Sequence, residues 1–389
     1  MKIVFTVNKY NPNLDGVQFV TNYLAEGLVA KGHDVFLVTT SYTVKPSPES
    51  ETLNGVKIIR LPIFTRHTFH HGDKKKYIKI IGDLCKDAAC LINVGTQVAF
   101  TDWCFKILDK IKCMKVLYIH SIRDFKYRKS DFLNFKRIPY KIFNNIRWRL
   151  YYSFNGYNFK KYNKIVQLHE KDYAVKFFET KYGIKSNIIY NAVDNEFFSD
   201  SNKQSCTDSC EKYAIYVANF LERKNQIKAI KLFCEANEIA KTDYKLMLVG
   251  SEKSKYYYEM VEFLKKNNYS EQIILKVGID RKSTIELIKK SKFVFMSSNW
   301  EAFPISLIEG MACGKPFIST DVGVVKYFPG GFVGDDEYLK YRLIKFLQDD
   351  EIINNYGIIC KRFALENFCI SAVVDKIEQL IFQENILEN

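Results

Sequence analysis

The sequence predicts an α/β protein made of two doubly wound domains facing each other across a cleft, and three observations carry that prediction. Strand-like and helix-like segments alternate through both halves, the pattern of parallel sheets flanked by helices. The alternation breaks once, at 191–212, where Asn191-Ala192-Val193-Asp194 precedes the polar run Ser199 to Ser205 and reads as a linker. A chain of 389 residues is long for one ordinary core but suits two, and 47% hydrophobic residues supply both.

The first half offers strands at 2–8, 34–40, 56–61, 88–94, 115–119, 164–168 and 186–190, separated by helices at about 17–31, 74–86, 98–112, 133–160 and 170–182. The first strand, Met1 to Asn8, soon meets Asn, Lys and Pro and has no signal-peptide pattern. The second half places strands at about 213–218, 244–249, 272–277, 292–296 and 316–320 between helices near 224–240, 253–267, 282–290 and 305–313. Asp335-Asp336-Glu337 opens a late helix, where acidic residues suit the helix dipole, and Gly330 to Gly334 reads as a turn. Ligands of open α/β sheets bind outside the carboxyl ends of the strands, so the cleft between two such sheets is the expected site. No Gly-x-Gly-x-x-Gly follows the first strand and no Gly-Lys-Ser/Thr loop occurs, which argues against a dinucleotide oxidoreductase and a P-loop enzyme.

Ten cysteines are scattered through strand-like and helix-like segments and read as reduced thiols of a cytoplasmic protein. Cys206-x3-Cys210 lacks a partner pair, and His67, His70 and His71 form a loose surface cluster, so neither suggests a metal. No run of about 18 apolar residues is present to span a membrane. The net charge of +14 is mostly local: from Arg123 to Lys164 twelve Lys or Arg stand against two Asp, interleaved with thirteen aromatics. Basic residues beside Trp, Phe and Tyr suit a helix lying on an anionic membrane surface, with Arg123, Lys126, Arg128, Lys136, Arg137 and Trp148 as contacts. Single-stranded nucleic acid could use the same chemistry, and a solvated basic helix packing its aromatics on the core is the bland alternative; the reading adopted has no nucleic-acid partner.

The most informative segment is Glu301-Ala302-Phe303-Pro304-Ile305-Ser306-Leu307-Ile308-Glu309. It follows the apolar run Phe293 to Met296, a buried strand, and leads into an apolar-periodic helix, Ile305 to Cys313. Pro304 sits at the helix start, where its missing N–H costs nothing. The amides of Ile305, Ser306 and Leu307 then face out of the helix as an anion cradle. Carboxylates on either side of such a cradle suit a ligand with both phosphate and hydroxyl groups, such as a sugar nucleotide. Two Glu at this spacing also occur by chance in many α/β proteins.

The stretch from Trp300 to Gly323, with its Glu-x7-Glu pair, small-residue helix, Gly314-Lys315-Pro316 turn and following strand, closely resembles the donor signature of the retaining glycosyltransferases of family 4. The resemblance covers most of the chain and implies the GT-B fold: Rossmann-like domains at 1–192 for the acceptor and 193–369 for the nucleotide sugar, with the last helix, about 370–389, packing back on the first. It assigns Gly16 to the approach of backbone to the donor phosphates, and His120 to the face of the transferred sugar. Asn191 to Asp194 resembles the family's Asn-Gly-Val-Asp segment, with Ala192 in place of Gly. Lys224 resembles the lysine that neutralises the diphosphate, a task for an ammonium point charge. Asn219 stands where the family usually has Arg, and Arg223 is a candidate substitute. Glu301 would lie by sugar and phosphate, Glu309 would accept from the ribose hydroxyls, and Phe303, Ile305 and Ser306 would contribute backbone. Glu301, His120 and Lys224 would then form the catalytic group, without metal or other cofactor.

The resemblance implies a hexosyl- or N-acetylhexosaminyl-type transferase that passes a sugar, commonly from a uridine diphosphate donor, to a lipid-linked or other glycan. Surface polysaccharide assembly, as of lipopolysaccharide or capsule, at the inner face of the plasma membrane is the expected setting. Two alternatives stay open: a nucleotide-sugar epimerase of the same fold, and a catalytically silent sugar-nucleotide-binding component of an assembly complex.

Overall fold

A computed structural model describes residues 1–12, 16–43, 45–66, 69–122, 125, 127, 138–199 and 212–385. The chain divides into two compact units, one of Met1–Tyr190 with Val373–Asn389 and one of Asn191–Ala372.

The first unit runs β1 (Lys2–Thr6), α1 (Gly16–Ala30), β2 (Asp34–Thr40), β3 (Ser50–Leu53), β4 (Val56–Leu61), β5 (Phe64–Arg66), β6 (Phe69–His71), α2 (Lys74–Leu84), β7 (Cys90–Val94) and α3 (Ala99–Asp102). It continues with β8 (Met114–Ile119), α4 (Ile138–Phe154), α5 (Gly156–Phe159), β9 (Lys164–Gln167), α6 (Tyr173–Tyr182) and β10 (Asn187–Ile188). Its main sheet has the order β10-β9-β8-β7-β1-β2-β4-β3. The pairs are parallel except at the β3 edge. Every residue of β7 is buried, as expected of a strand covered on both faces by helices. The β5–β6 hairpin, which alternation alone did not predict, joins Thr65 to His70 across its strands.

Two expectations for this unit are corrected. The helix foreseen at 98–112 is a single turn, α3, followed by two 3-10 turns, Cys104–Lys106 and Leu108–Lys110. Its apolar residues Phe100, Trp103, Cys104, Phe105, Ile107, Leu108 and Ile111 are all buried, more directions than one helical stripe can cover. The helix foreseen at 133–160 is α4 and then α5, with Asn155 and Gly156 at the joint. Arg123, Lys126, Arg128, Lys136, Arg137, His67, Cys206 and Cys210 lie outside the described residues.

The second unit runs β11 (Tyr213–Val217), α7 (Gln226–Ala240), β12 (Lys245–Gly250), α8 (Lys255–Lys266), β13 (Ile273–Val277), α9 (Arg281–Lys290), β14 (Phe293–Met296) and α10 (Ile305–Ala312). After these come β15 (Phe317–Thr320), β16 (Gly331–Gly334), α11 (Asp336–Gln348) and α12 (Asp350–Asn367). Its six strands are ordered β13-β12-β11-β14-β15-β16 and all pair in parallel. Successive strands step outward from β11 to one edge, and the chain then returns to lay β14 on its other side. The gap between the ends of β11 and β14 is the topological switch point, where a doubly wound sheet offers a ligand crevice.

Residues 331–334 correct the turn expected there. Gly330 makes the turn at φ 83°, after which Gly331 to Gly334 pair with Phe317 to Thr320 as the edge strand. The last helix, α13 (Ile370–Asn385), belongs to the first unit from Val373 onward. There Lys31 meets Asp375 and Glu378 at 2.5 Å, and Glu378 also meets His33 at 2.8 Å.

Candidate functional site

The two strand ends at the switch point of the second unit carry the charged residues that the sequence singles out. Beyond β11 the chain turns through a short 3-10 helix, Glu222–Lys224, closed by Asn225 in the left-handed region at φ 51°. Beyond β14 it runs from Ser297 into α10. Hydrogen bonds stitch the two segments together: the Ser297 hydroxyl donates to the Asn225 carbonyl and the Asn299 amide to the Arg223 carbonyl, each at 2.8 Å. Tyr216, on β11, places its hydroxyl 2.6 Å from the Lys224 carbonyl and 2.7 Å from the Ser298 hydroxyl.

This stitching fixes an ion pair. Ser298 donates to Glu301 Oε1 at 2.7 Å, and Lys224 Nζ donates to the same oxygen at 2.5 Å. Glu301 is only 7% exposed, so the ammonium compensates a carboxylate that water barely reaches. Burial, reinforced by the Glu301 charge, raises the Tyr216 phenol well above its ordinary range and keeps it a neutral hydrogen-bonding group. The arrangement can present an ammonium to an anion at a strand end while a carboxylate holds the lysine in place.

A second ion pair joins the start of α9 to a buried carboxylate on α10. Glu309 is 3% exposed and accepts from Arg281 Nη2 at 2.6 Å, and the guanidinium also lies 4.8 Å from the centre of the Phe197 ring. Burial raises the Glu309 carboxyl above the usual carboxylate range, Arg281 draws it back, and Asp194 adds a smaller upward push. Asp194 itself caps the 3-10 turn at 195–197 by accepting from the Glu196 amide at 2.9 Å.

The start of α10 is built tightly. Pro304 is its N-cap residue and provides no side-chain cap, while the Leu307 amide donates to the Pro304 carbonyl at 3.2 Å. The outward-facing amides of the first turn are therefore those of Ile305 and Ser306, two where three were expected. Two glycines permit the close approaches. A Cβ on Gly310 would stand 2.4 Å from Val294 Cγ2, so glycine lets α10 rest directly on β14. Gly323, at φ 54°, brings the loop after β15 against the Glu301 carbonyl, which a Cβ would approach to 2.6 Å.

The remaining candidates take other positions. Phe303 turns its ring into the core, 5.3 Å from Phe328, which leaves its backbone in the entry to α10. The Asn219 carboxamide accepts from Ser251 at 2.8 Å, and Arg223 is exposed. Gly16 and His120 belong to the first unit: Gly16 opens α1, and His120 follows β8, half-buried, with its ring 4.7 Å from that of Tyr118. His70 is no loose surface group. It is held between Thr65 at 2.9 Å and Asp102 at 2.8 Å, and Asp102 also accepts from Tyr151 at 2.5 Å.

Trp148 is half-buried against the core of the first unit, and Tyr152 on the same helix is fully buried. The opposite face of α4 is apolar as well. Phe143, Ile146, Leu150 and Phe154 follow at helical spacing and are 61%, 53%, 49% and 78% exposed. Tyr157 on α5 extends the stripe at 73% exposed. Among the described residues no helix is long and apolar enough to cross a membrane.

Three residues of the site escaped the sequence reading. Ser298 had a usable signal, a polar residue two positions after a buried strand and three before Glu301. Tyr216 is one apolar-strand position among many, and Arg281 is one of 58 cations, so their partners were not visible.

The family described as Glycosyl transferases group 1 matches residues 198–359. N-acetyl-alpha-D-glucosaminyl L-malate synthase of Bacillus anthracis is 27% identical over 206 residues, 50% of this chain and 52% of that protein. A Campylobacter jejuni transferase, N-acetylgalactosamine-N,N'-diacetylbacillosaminyl-diphospho-undecaprenol 4-alpha-N-acetylgalactosaminyltransferase, is 28% identical over 156 residues, 40% of this chain and 39% of its own length. The chain thus spans about half the length of the first of these two relatives and less of the second. Sucrose-phosphate synthase from Thermosynechococcus elongatus superposes with a TM-score of 0.73 at 15% identity, covering 100% of both chains. The second unit therefore carries a glycosyl transferases group 1 domain, in a chain of GT-B fold built from two Rossmann-like domains.

Proposed function

We propose that the chain is a retaining glycosyltransferase that moves a hexosyl or N-acetylhexosaminyl group from a nucleoside diphosphate, most simply a uridine diphosphate sugar, to a lipid-linked glycan. The observation that carries this reading is the contact of Lys224 with Glu301 at the switch point, beside the uncapped start of α10. In this reading the donor diphosphate takes the lysine ammonium, together with the amides of Ile305 and Ser306, and Glu301 lies beside the transferred sugar. Glu309 accepts from the ribose hydroxyls. The leaving diphosphate gains charge as the glycosidic bond breaks, so a fixed cation and fixed amide dipoles favour the transition state over the ground state. Gly16 and His120 are assigned by resemblance to the phosphates and to the transferred sugar.

Charge neutralisation by Lys224 makes the proposed reaction metal-independent, and activity is expected to persist in excess EDTA. The exposed stripe of α4, in the most basic stretch of the chain, supports an acceptor presented at an anionic membrane surface, as in surface polysaccharide assembly. The acceptor of the Campylobacter relative, a diphospho-undecaprenol, is of that kind. A thermal-shift panel of nucleotides and nucleotide sugars tests the donor half, because a ligand that binds only the native state raises its melting temperature. A uridine nucleotide should give the largest shift, and no shift with any nucleotide overturns the proposal. Incubation with the shifting nucleotide sugar, without acceptor, should release free sugar and nucleoside diphosphate; an epimerised nucleotide sugar would point to an isomerase instead.

A further inference from the structure

Glu309 is a buried anion that faces few charges. From α9 it meets Arg281 at 2.6 Å; from the segment before the 3-10 turn at 195–197 it feels Asp194; and one turn further along α10 lies the Cys313 thiol, which Glu309 itself helps to raise. Arg281 is placed with care. It is the first residue of α9, directly after the N-cap Asp280, whose side chain accepts from the Ser283 amide at 2.7 Å. Phe197, 1% exposed, supports its guanidinium. The Arg281 side chain is 37% exposed while that of its partner Glu309 is 4% exposed, so the arginine forms the boundary between Glu309 and solvent.

Resting on the proposal that this unit binds a nucleotide sugar, we infer that Arg281 is a positioning residue of the donor site, one that holds the Glu309 carboxylate as an aimed anion for the ribose diol. The requirement comes from counting donors. Two ribose hydroxyls donate best to a carboxylate whose oxygens are all acceptors; a protonated acid commits one oxygen as a donor. Each carboxylate oxygen has two lone-pair directions, so Oε1 can keep Arg281 and still accept a hydroxyl. Burial favours the neutral acid, and Arg281 is the cation that opposes it. Without that cation the acid form persists to higher pH, and donor affinity is lost at a correspondingly higher pH.

The test compares wild type, Arg281→Gln and Arg281→Lys. Uridine diphosphate affinity is measured by calorimetry from pH 5 to 8, and the carboxyl of Glu309 is followed by carbon-13 NMR with Glu309→Gln as the assignment control. The inference expects Arg281→Gln to weaken binding about tenfold at pH 7, to move the acidic limb of the affinity profile upward by a pH unit or more, and to raise the Glu309 titration equally. Arg281→Lys should restore most of both shifts. In turnover the loss should fall on the donor KM, with kcat little changed. A Glu309 titration that Arg281→Gln leaves in place overturns the inference while leaving the donor site intact. Equal affinity loss at every pH, unrescued by lysine, also overturns it, since it marks a merely structural arginine. A wild-type protein that binds no nucleotide overturns the donor-site reading first, and the inference with it, even where the carboxyl titration moves.

Discussion

The strand ends of the second unit and the outer face of α4 in the first carry cationic side chains in opposite ways. At the strand ends each buried carboxylate is matched by a cation: Glu301 by Lys224, Glu309 by Arg281. On α4 the cations lie over aromatic rings instead of carboxylates, with Arg147 4.3 Å from the centre of the half-buried Trp148 ring and 5.9 Å from that of the exposed Phe143. A matched, buried pair has one geometry and suits a small ligand whose charges arrive at fixed points. An exposed stripe with basic flanks has no fixed geometry and suits a broad, soft, anionic surface. On the proposed function, damage to the first region should abolish sugar transfer, while damage to the second should weaken membrane binding and leave transfer intact.

The sharpest break is Lys224→Ala. It removes the proposed counter-charge of the diphosphate and leaves Glu301 buried with Ser298 as its remaining polar partner at Oε1. Removing one fixed electrostatic stabiliser typically costs about 10²–10³ in rate, so sugar release from the donor should fall by about that factor. Circular dichroism must show the fold retained. A variant with wild-type turnover would strip the Lys224–Glu301 contact of any role in the chemistry.

The α4 face calls for the opposite outcome. Phe143→Ser combined with Phe154→Ser removes two rings that are 61% and 78% exposed and so should leave the core undisturbed. Burial of each such ring in the interfacial region contributes about 1.5–3 kcal/mol, so the affinity for vesicles rich in anionic lipid, read by co-sedimentation, should fall by about a hundredfold or more. Turnover of a water-soluble donor should stay within a factor of two. Undiminished vesicle binding would reduce the stripe to ordinary surface, and reduced nucleotide affinity would break the separation between the two regions.

How far each region was legible follows from the same contrast. The Glu301–Glu309 segment could be read because buried strand, Pro304 and helix start are local signals, and the resemblance then reached Lys224, 77 positions earlier. The partner choices could not be read. Nothing local tells that Tyr216 joins the Lys224–Glu301 pair, or that Arg281 meets Glu309, because those contacts exist only once β11, α9 and β14 lie side by side. The doubly wound plan was plain from alternation, yet the β5–β6 hairpin and edge strand β16 were missed because three- and four-residue strands carry too little periodicity. The break-up of 98–112 was hidden because a segment buried in every direction has no single stripe to read.

The smallest effect probes the rule that the second unit buries charge only in matched pairs. Lys315, in the turn just after α10, is largely buried, and the groups that act on its charge are the Cys313 thiol, Lys292 and Lys361, with no carboxylate ion pair among the described residues. Burial, with those two lysines, lowers its ammonium to about 8 from the ordinary value of 10.5. The sign follows directly. The folded state binds this proton less tightly than the unfolded chain, so the charged lysine costs stability in full below pH 8, and the cost fades as pH rises toward 10.5. Lys315→Met keeps the aliphatic stem and removes the charge. It should stabilise the protein by about 1–2 kcal/mol at pH 7, less than the whole shift implies because part of the side chain remains in water. Denaturant midpoints of the two proteins should converge near pH 10. A gain that is the same at pH 7 and pH 10 would come from packing rather than charge, and a loss at pH 7 would show that this unit tolerates an unmatched cation, weakening the distinction drawn between its strand ends and α4.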